Sequence, residues 1–89
     1  MPKALVRIAD EFVFALSGVY SERVLDQIKK SVELLADFPE IGSVNVRKSL
    51  VNRYGSGIRK LVVSTFIIVY RYEDGVVDVL ALVYGPSVL

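Results

Sequence analysis

The segment from Gly57 to Gly85, GIRKLVVSTFIIVYRYEDGVVDVLALVYG, predicts three consecutive β-strands and decides the fold. It is dominated by Val, Ile, Leu, Phe and Tyr, the residue types that fit a pleated, packed surface. Breaks at Ser64-Thr65 and at Glu73-Asp74-Gly75 divide it, and Asp-Gly supplies the positive φ values that tight hairpin turns need. The last two strands are apolar at consecutive positions, which is typical of strands that are covered on both faces.

The residues before this segment predict one more strand and two helices. The strand candidate runs from Lys3 to Ile8, and Asp10 is expected to cap a first helix that stops at Ser17-Gly18. Ser21 is expected to cap a second helix, which Pro39 ends. The apolar stripes at helical spacing consist of Phe12, Val13, Leu16 and Val19 or Tyr20 in the first helix, and of Val24, Leu25, Ile28, Val32 and Leu35 in the second.

The predicted order is β-α-α-β-β-β, one α+β domain over residues 1–89 with two helices packed on one face of a small, mostly antiparallel four-stranded sheet. Residues 43–56 form the least regular segment and predict a loop. Two helices cover one face only, so the other face is expected to meet solvent or a partner chain. Hydrophobic residues make up 53% of the chain, which also favours an exposed apolar interaction surface. A well-filled core and a homodimer are the alternatives.

The composition excludes several kinds of chemistry. The chain has no cysteine and no histidine, which rules out disulfides, thiolate nucleophiles, Ser-His-Asp triads and histidine or thiolate metal sites. No metal and no cofactor are therefore predicted. The apolar run at residues 12–16 is too short for a secretory signal, and nothing approaches the roughly 20 apolar residues that span a bilayer. We expect a soluble, cytoplasmic protein without membrane contact.

The net charge of +1 conceals a basic block. Residues 41–72 contain no acidic residue and six basic ones, namely Arg47, Lys48, Arg53, Arg59, Lys60 and Arg71. This pattern predicts a surface for phosphate groups or for an acidic segment of a partner. Arg47, Lys48 and Arg53 with Tyr54 also predict a patch of basic and aromatic side chains such as nucleic-acid surfaces carry, with a solvated loop as the alternative.

Strand periodicity assigns roles to individual residues of the block. Arg59 and Lys60 are neighbours on a strand, so their side chains point to opposite faces, and Arg59 is the first choice for a partner contact. Arg71 is expected to pair with Glu73 or Asp78 across the hairpin. Tyr84 is interpreted as a core residue at the end of the last strand.

Five segments in this order resemble the RelE/ParE toxin superfamily of type II toxin–antitoxin systems, and the resemblance covers nearly the whole chain. They are VELLADFPEIG at residues 32–42, GIRKL at 57–61, FIIVYR at 66–71, the acidic turn at 73–75 and VLALVYG at 79–85. Members of the superfamily named after RelE cut messenger RNA on the ribosome, whereas ParE-like members poison DNA gyrase. The resemblance implies a cognate antitoxin, whose extended or helical segment wraps the toxin, and a role in plasmid stabilisation.

Two differences between this chain and the RelE-like nucleases favour the ParE-like branch. RelE-like nucleases carry an arginine where this chain has Phe66-Ile67, and a basic residue where it has Pro86-Ser87; the tail ends at Leu89. We therefore expect binding to gyrase rather than catalysis. The expected partner-binding residues are Arg47, Lys48, Arg53, Arg59, Lys60 and Tyr84.

Two alternatives remain open. One is a RelE-like endoribonuclease that acts on messenger RNA at the ribosome, with Arg59, Lys60, Arg71 and Tyr84 as its catalytic residues. The other is a degenerate toxin that only binds its antitoxin. A homodimer and a heterotetramer with the antitoxin are both compatible with the sequence.

Overall fold

Three α-helices and a four-stranded sheet make up the protein, whose structure, a computed structural model, describes residues 3–87. The elements in chain order are β1 (Leu5–Ile8), α1 (Asp10–Leu16), α2 (Glu22–Asp37), α3 (Lys48–Tyr54), β2 (Ile58–Val63), β3 (Phe66–Glu73), β4 (Val76–Tyr84) and a short 3-10 helix (Gly85–Ser87). The predicted α+β class is confirmed, and α3 is an element that the sequence did not predict. None of the helices in the described part is long and apolar enough to cross a membrane.

The sheet has the strand order β1-β4-β3-β2, with β1 parallel to β4 and the other pairs antiparallel. The strands that are apolar on both faces, β3 and β4, therefore occupy the centre. Both predicted hairpin turns are present, with positive φ angles of 58° at Ser64, 51° at Asp74 and 76° at Gly75. Because each loop has two residues, the turns fix the register from Val63↔Phe66 and from Glu73↔Val76.

Helices α1 and α2 cover one face of the sheet, called here the α1–α2 face. The Ser21 hydroxyl caps α2 by accepting a hydrogen bond from Val24 N at 3.3 Å. The predicted cap at Asp10 is wrong, because α1 begins at Asp10 itself and its N-cap, Ala9, has no side-chain oxygen. Fully buried on this face are Phe12, Ile28, Leu35, Ile68, Tyr70, Val77 and Val79.

The opposite face of the sheet is not left open, which corrects the sequence-based prediction. Helix α3 packs Leu50 against Ile58, Val69 and Ala81 in a second apolar cluster, and this side of the sheet is called here the α3 face. The sequence does not predict this helix, because it has only seven residues and its N-cap, Arg47, makes no side-chain capping hydrogen bond. A helix this short forms through tertiary packing rather than through intrinsic propensity.

The predicted exposed apolar surface lies at the edges of the molecule rather than on one sheet face. The exposed large apolar residues are Leu5, Ile8, Val13, Phe14, Tyr20, Leu34, Phe38, Ile41, Val44, Val62 and Tyr84. Val13, predicted to belong to the buried stripe of α1, is exposed. Of the two alternatives Val19 and Tyr20, which both follow the end of α1 at Leu16, Val19 enters the core.

We expect that Leu50→Ala destabilises the protein by about 2–4 kcal/mol, because it removes the side chain that joins α3 to the sheet. Val62→Ala, at a position that is 61% exposed, is the control and should change the free energy of unfolding by less than about 0.5 kcal/mol. Urea denaturation measures both values. Equal effects of the two substitutions would show that the packing of Leu50 against the sheet contributes nothing to the free energy of unfolding.

Candidate functional site

Arg59 of the basic block is held by the protein's own backbone. Its guanidinium donates to the carbonyl oxygens of Gly42, at 3.0 Å, and Glu40, at 3.3 Å. As predicted, its side chain leaves β2 on the side opposite to that of Lys60, and it lies on the α1–α2 face in register with Tyr70. Arg59 therefore fixes the turn that follows α2 and leads towards α3.

Tyr70 anchors the same turn from the core side. The sequence did not indicate this role of Tyr70. Its hydroxyl donates to Pro39 O at 2.9 Å and accepts from Gly42 N at 2.8 Å, and the residue has no exposed surface. Burial raises the pKa of Tyr70, so the hydroxyl stays protonated and keeps donating. Gly42 has to be glycine because an added Cβ would lie 2.5 Å from the Tyr70 hydroxyl and 2.8 Å from Lys60 O. The only signal in the sequence was the glycine that ends FPEIG.

Arg71 is likewise bound to carbonyl oxygens. It lies directly opposite Asp78 in the sheet and its charge helps to lower the pKa of that carboxyl, but the predicted ion pair with Glu73 or Asp78 does not form. Its guanidinium donates to Tyr54 O at 2.6 Å and Ser56 O at 3.4 Å, which fixes the connection between α3 and β2. Asp78 is occupied by Arg7 of β1 instead, through two hydrogen bonds of 2.7 and 2.9 Å. That bidentate contact lowers the pKa of Asp78.

Of the predicted patch of Arg47, Lys48, Arg53 and Tyr54, the last two residues are bound by Glu11 of α1. Glu11 accepts a hydrogen bond of 2.5 Å from the Tyr54 hydroxyl and forms an ion pair of 3.6 Å with Arg53. The Arg53 guanidinium also lies 5.2 Å from the centroid of the Tyr54 ring. Desolvation, together with the bond to Glu11, raises the pKa of Tyr54 to about 12. Arg53 and Tyr54 therefore link α3 to α1.

Within residues 3–87, three cations of the basic block have neither an ion pair nor a side-chain hydrogen bond: Arg47, Lys48 and Lys60. We call them the cationic surface. Lys60 lies on the α3 face of β2 and is bridged through its backbone to Ser43. Arg47 and Lys48 follow shortly after Ser43 in the chain, at the start of α3. Val44 and Val62, which are 69% and 61% exposed, flank the bridge. This edge combines unpaired positive charge with apolar contact.

Tyr84 lies at the other end of the sheet. It closes β4 on the α1–α2 face, is half exposed, and packs edge-on against Phe66 with ring centroids 5.8 Å apart. The four residues of the nuclease alternative do not converge on one point. Arg59 and Tyr84 share a face but stand at opposite ends of the strands, whereas Lys60 and Arg71 lie on the other face. The described residues also contain no group of three acidic side chains that could hold a metal ion.

The chain resembles known toxins in sequence and in fold. The family model described as ParE toxin of type II toxin–antitoxin system, parDE, matches residues 3–85. The toxin–antitoxin complex RelBE2 from Mycobacterium tuberculosis is similar with a TM-score of 0.73 and 19% identity, over 92% of this chain and 98% of that chain. The intact RelBE toxin–antitoxin complex of E. coli is similar with a TM-score of 0.62 and 17% identity, over 89% of this chain and 93% of that chain. No curated protein matches.

We expect Tyr70→Phe to cost about 1–3 kcal/mol of stability, because it leaves the buried Gly42 N–H and the Pro39 carbonyl without their partner. Tyr20→Phe removes the same hydroxyl from a side chain that is 94% exposed and should leave the stability unchanged. Thermal or urea denaturation of both variants provides the comparison. Unchanged stability of Tyr70→Phe would contradict the role of this hydroxyl as an anchor.

The pH dependence of stability reports on the contact between Tyr54 and Glu11. The pKa of Tyr54 rises from 10.0 to about 12 in the folded protein, so its contribution is complete below pH 10 and is lost as the pH rises from about 10 to about 12. Tyr54→Phe should therefore show a smaller loss of stability over this range than the wild type. Tyr20→Phe should follow the wild type. Denaturation at a series of alkaline pH values tests the difference, and parallel curves for all three proteins would contradict it.

Proposed function

The chain belongs to the ParE toxin family of type II toxin–antitoxin systems, within the RelE/ParE superfamily, and on this basis we propose that it inhibits DNA gyrase by protein–protein contact. The observation that carries the proposal is the match of the ParE model to residues 3–85, nearly the whole described chain. The scattered positions of Arg59, Lys60, Arg71 and Tyr84 also support binding over RNA cleavage, which needs an acid, a base and cations around one phosphate. Gyrase as the target implies action in the cytoplasm.

The second part of the proposal is neutralisation by a cognate antitoxin, in a module that stabilises a plasmid. Both similar solved structures are complexes of a toxin with its antitoxin, which supports such a partner here. The cationic surface of Arg47, Lys48 and Lys60 is where we expect an acidic antitoxin segment to bind. Its charges have no acidic partner within residues 3–87, so a partner's carboxylates would meet no internal competitor.

A RelE-like endoribonuclease is the second candidate, because the two similar structures are both RelBE complexes. At 19% and 17% identity these similarities establish the fold alone. The nuclease candidate requires that Lys60 or Arg71 on the α3 face act without Arg59 or Tyr84 on the opposite face. We therefore rank it below gyrase inhibition.

Expression in a bacterial host, with parallel assays of growth, transcript length and supercoiling by purified gyrase, separates the candidates. The proposal predicts growth arrest, intact transcripts on ribosomes and loss of supercoiling activity. Rapid shortening of transcripts with unaffected gyrase would establish the nuclease instead. Normal growth with good expression would indicate a degenerate toxin that only binds its antitoxin.

We expect the double variant Arg47→Glu and Lys48→Glu to bind the antitoxin at least about tenfold more weakly, because repulsion replaces attraction at the cationic surface. The antitoxin is the protein encoded by the adjacent reading frame. Arg23→Glu, an exposed charge reversal on α2, is the matched control and should change the affinity less than about twofold. Titration calorimetry at two salt concentrations measures both. Equal losses in the two variants would rule out a specific role for the cationic surface.

A further inference from the structure

Residues 44–57, called here the α3 loop, leave the sheet and return to it at nearly the same place. Before the loop, Ser43 exchanges two backbone hydrogen bonds of 2.9 Å with Lys60 of β2, and after the loop β2 begins at Ile58. The two ends of the loop are therefore anchored close together on one strand, as in a compact Ω-loop. None of the pairings among the four strands involves the loop, so its movement would leave the sheet intact.

Helix α3, the middle of this loop, has little stability of its own. It has seven residues, its N-cap Arg47 makes no side-chain capping hydrogen bond, and its first turn contains Lys48 but no acidic residue. A helix of this length is unstable in water without tertiary contacts, and a positive charge at its N-terminus opposes the helix dipole. The conformation of the α3 loop therefore depends on the contacts that the loop makes with the rest of the molecule.

The apolar contacts of the loop depend mainly on one side chain. Leu50 is the only buried residue of the α3 loop, and it packs against Ile58, Val69 and Ala81 of the sheet. Three partly buried side chains of the loop join this cluster, namely Val46, Val51 and Tyr54. The three sheet residues are at most 3% exposed, so a reagent in solution reaches them only when the loop moves away.

Polar contacts hold the loop at two points near the end of α3. Arg71 of β3 donates to Tyr54 O at 2.6 Å, and Glu11 of α1 accepts a hydrogen bond of 2.5 Å from the Tyr54 hydroxyl and pairs with Arg53 at 3.6 Å. Among the described residues of α1 and α2, Glu11 alone forms a hydrogen bond or an ion pair with the loop. The Glu11 side chain is 50% exposed, so water can replace both of its contacts when the loop moves.

We propose that the α3 loop opens as a unit over an intact sheet, with Glu11 as the latch that holds it closed. An element opens separately when the contacts that hold it are weaker than those of the whole fold, and a short loop with one buried side chain meets this condition. Gly55 and Gly57, with φ angles of 93° and 81°, follow α3 directly and give the backbone the freedom to turn there.

Opening changes the surface that the protein presents. The closed loop covers Val69 and Ala81 and pairs Arg53 with Glu11. The open loop exposes the two apolar residues and separates Arg53 from the carboxylate. Apolar surface and a positive charge therefore become accessible together, in a molecule whose four strands remain paired.

Hydrogen exchange of the full chain under native conditions tests the separate opening. The amides of Val51 and Gly55 form their hydrogen bonds within the α3 loop. They should exchange at least about tenfold faster than the amides of Ile68 and Tyr70 in the central strand β3, which are released only by global unfolding. Equal exchange of the two groups would contradict the proposal.

A mild substitution in the other core sharpens this comparison. Ile28→Val removes one methylene group from a fully buried residue of α2, whose contacts stay intact when the α3 loop opens. It should accelerate the exchange of the β3 amides several-fold and leave that of the loop amides unchanged. Equal acceleration of both groups would show that the loop opens only when the whole protein unfolds, and would overturn the proposal.

Substitution of the latch tests the role of Glu11. Glu11→Ala should accelerate the loop amides at least about fivefold, because it removes the acceptor of Tyr54 and the ion pair of Arg53. Adding Tyr54→Phe should cause little further acceleration, since both substitutions break the same contact. Asp10→Ala removes a neighbouring carboxylate that has no ion pair within residues 3–87, and this control should leave the loop amides unchanged. Unchanged exchange in Glu11→Ala would overturn its role as the latch.

Thiol labelling provides an independent test, because the chain has no cysteine. Ala81→Cys places a single thiol beneath the α3 loop, and Val79→Cys places one in the core of the opposite face. The thiol at position 81 should be labelled at least about tenfold faster than the free energy of unfolding of its own variant allows, whereas the thiol at position 79 should follow global unfolding. Labelling of both thiols at the rate of global unfolding would overturn the proposal.

Discussion

The pairing of β3 with β4 is the constraint on which the rest of the structure depends. Both strands are apolar on both faces, so the pair is stable in water only if each face is covered. Helices α1 and α2 cover one face, and the chain supplies α3 for the other. Lys48 and Arg53 of the basic block lie on α3, and Arg59 and Lys60 lie on β2. Strand β1 pairs in parallel with β4 and forms one edge of the sheet.

Arginines in this protein serve largely to organise its own loops. Arg59 binds carbonyl oxygens of the connection between α2 and α3, and Arg71 binds those of the connection between α3 and β2. Arg53 is shared between Glu11 and the ring of Tyr54. A guanidinium suits this work because its planar donors can reach two acceptors at once. A basic stretch of sequence thus overstates the positive surface that a partner meets, which here is reduced to Arg47, Lys48 and Lys60.

The two edges of the sheet present different chemistry to a partner. The β2 edge carries unpaired cations and has one backbone bridge, between Ser43 and Lys60, whereas the β1 edge exposes backbone groups beside an apolar cleft with balanced charges. The high hydrophobic content of the chain is then explained by its edges rather than by an uncovered face.

The sequence by itself determined the four strands, both hairpin turns, α1 and α2 and the toxin family, because hydrophobic periodicity and turn residues act over a few neighbouring positions. It also placed Arg59 and Lys60 on opposite faces, since strand alternation is a local property. Only the tertiary structure decided that α3 exists, because its seven residues become helical where Leu50 meets the sheet. It likewise decided which cations are free: the carbonyl oxygens that bind Arg59 and Arg71 lie 15 to 19 residues away in the chain, a distance at which no pattern predicts a contact.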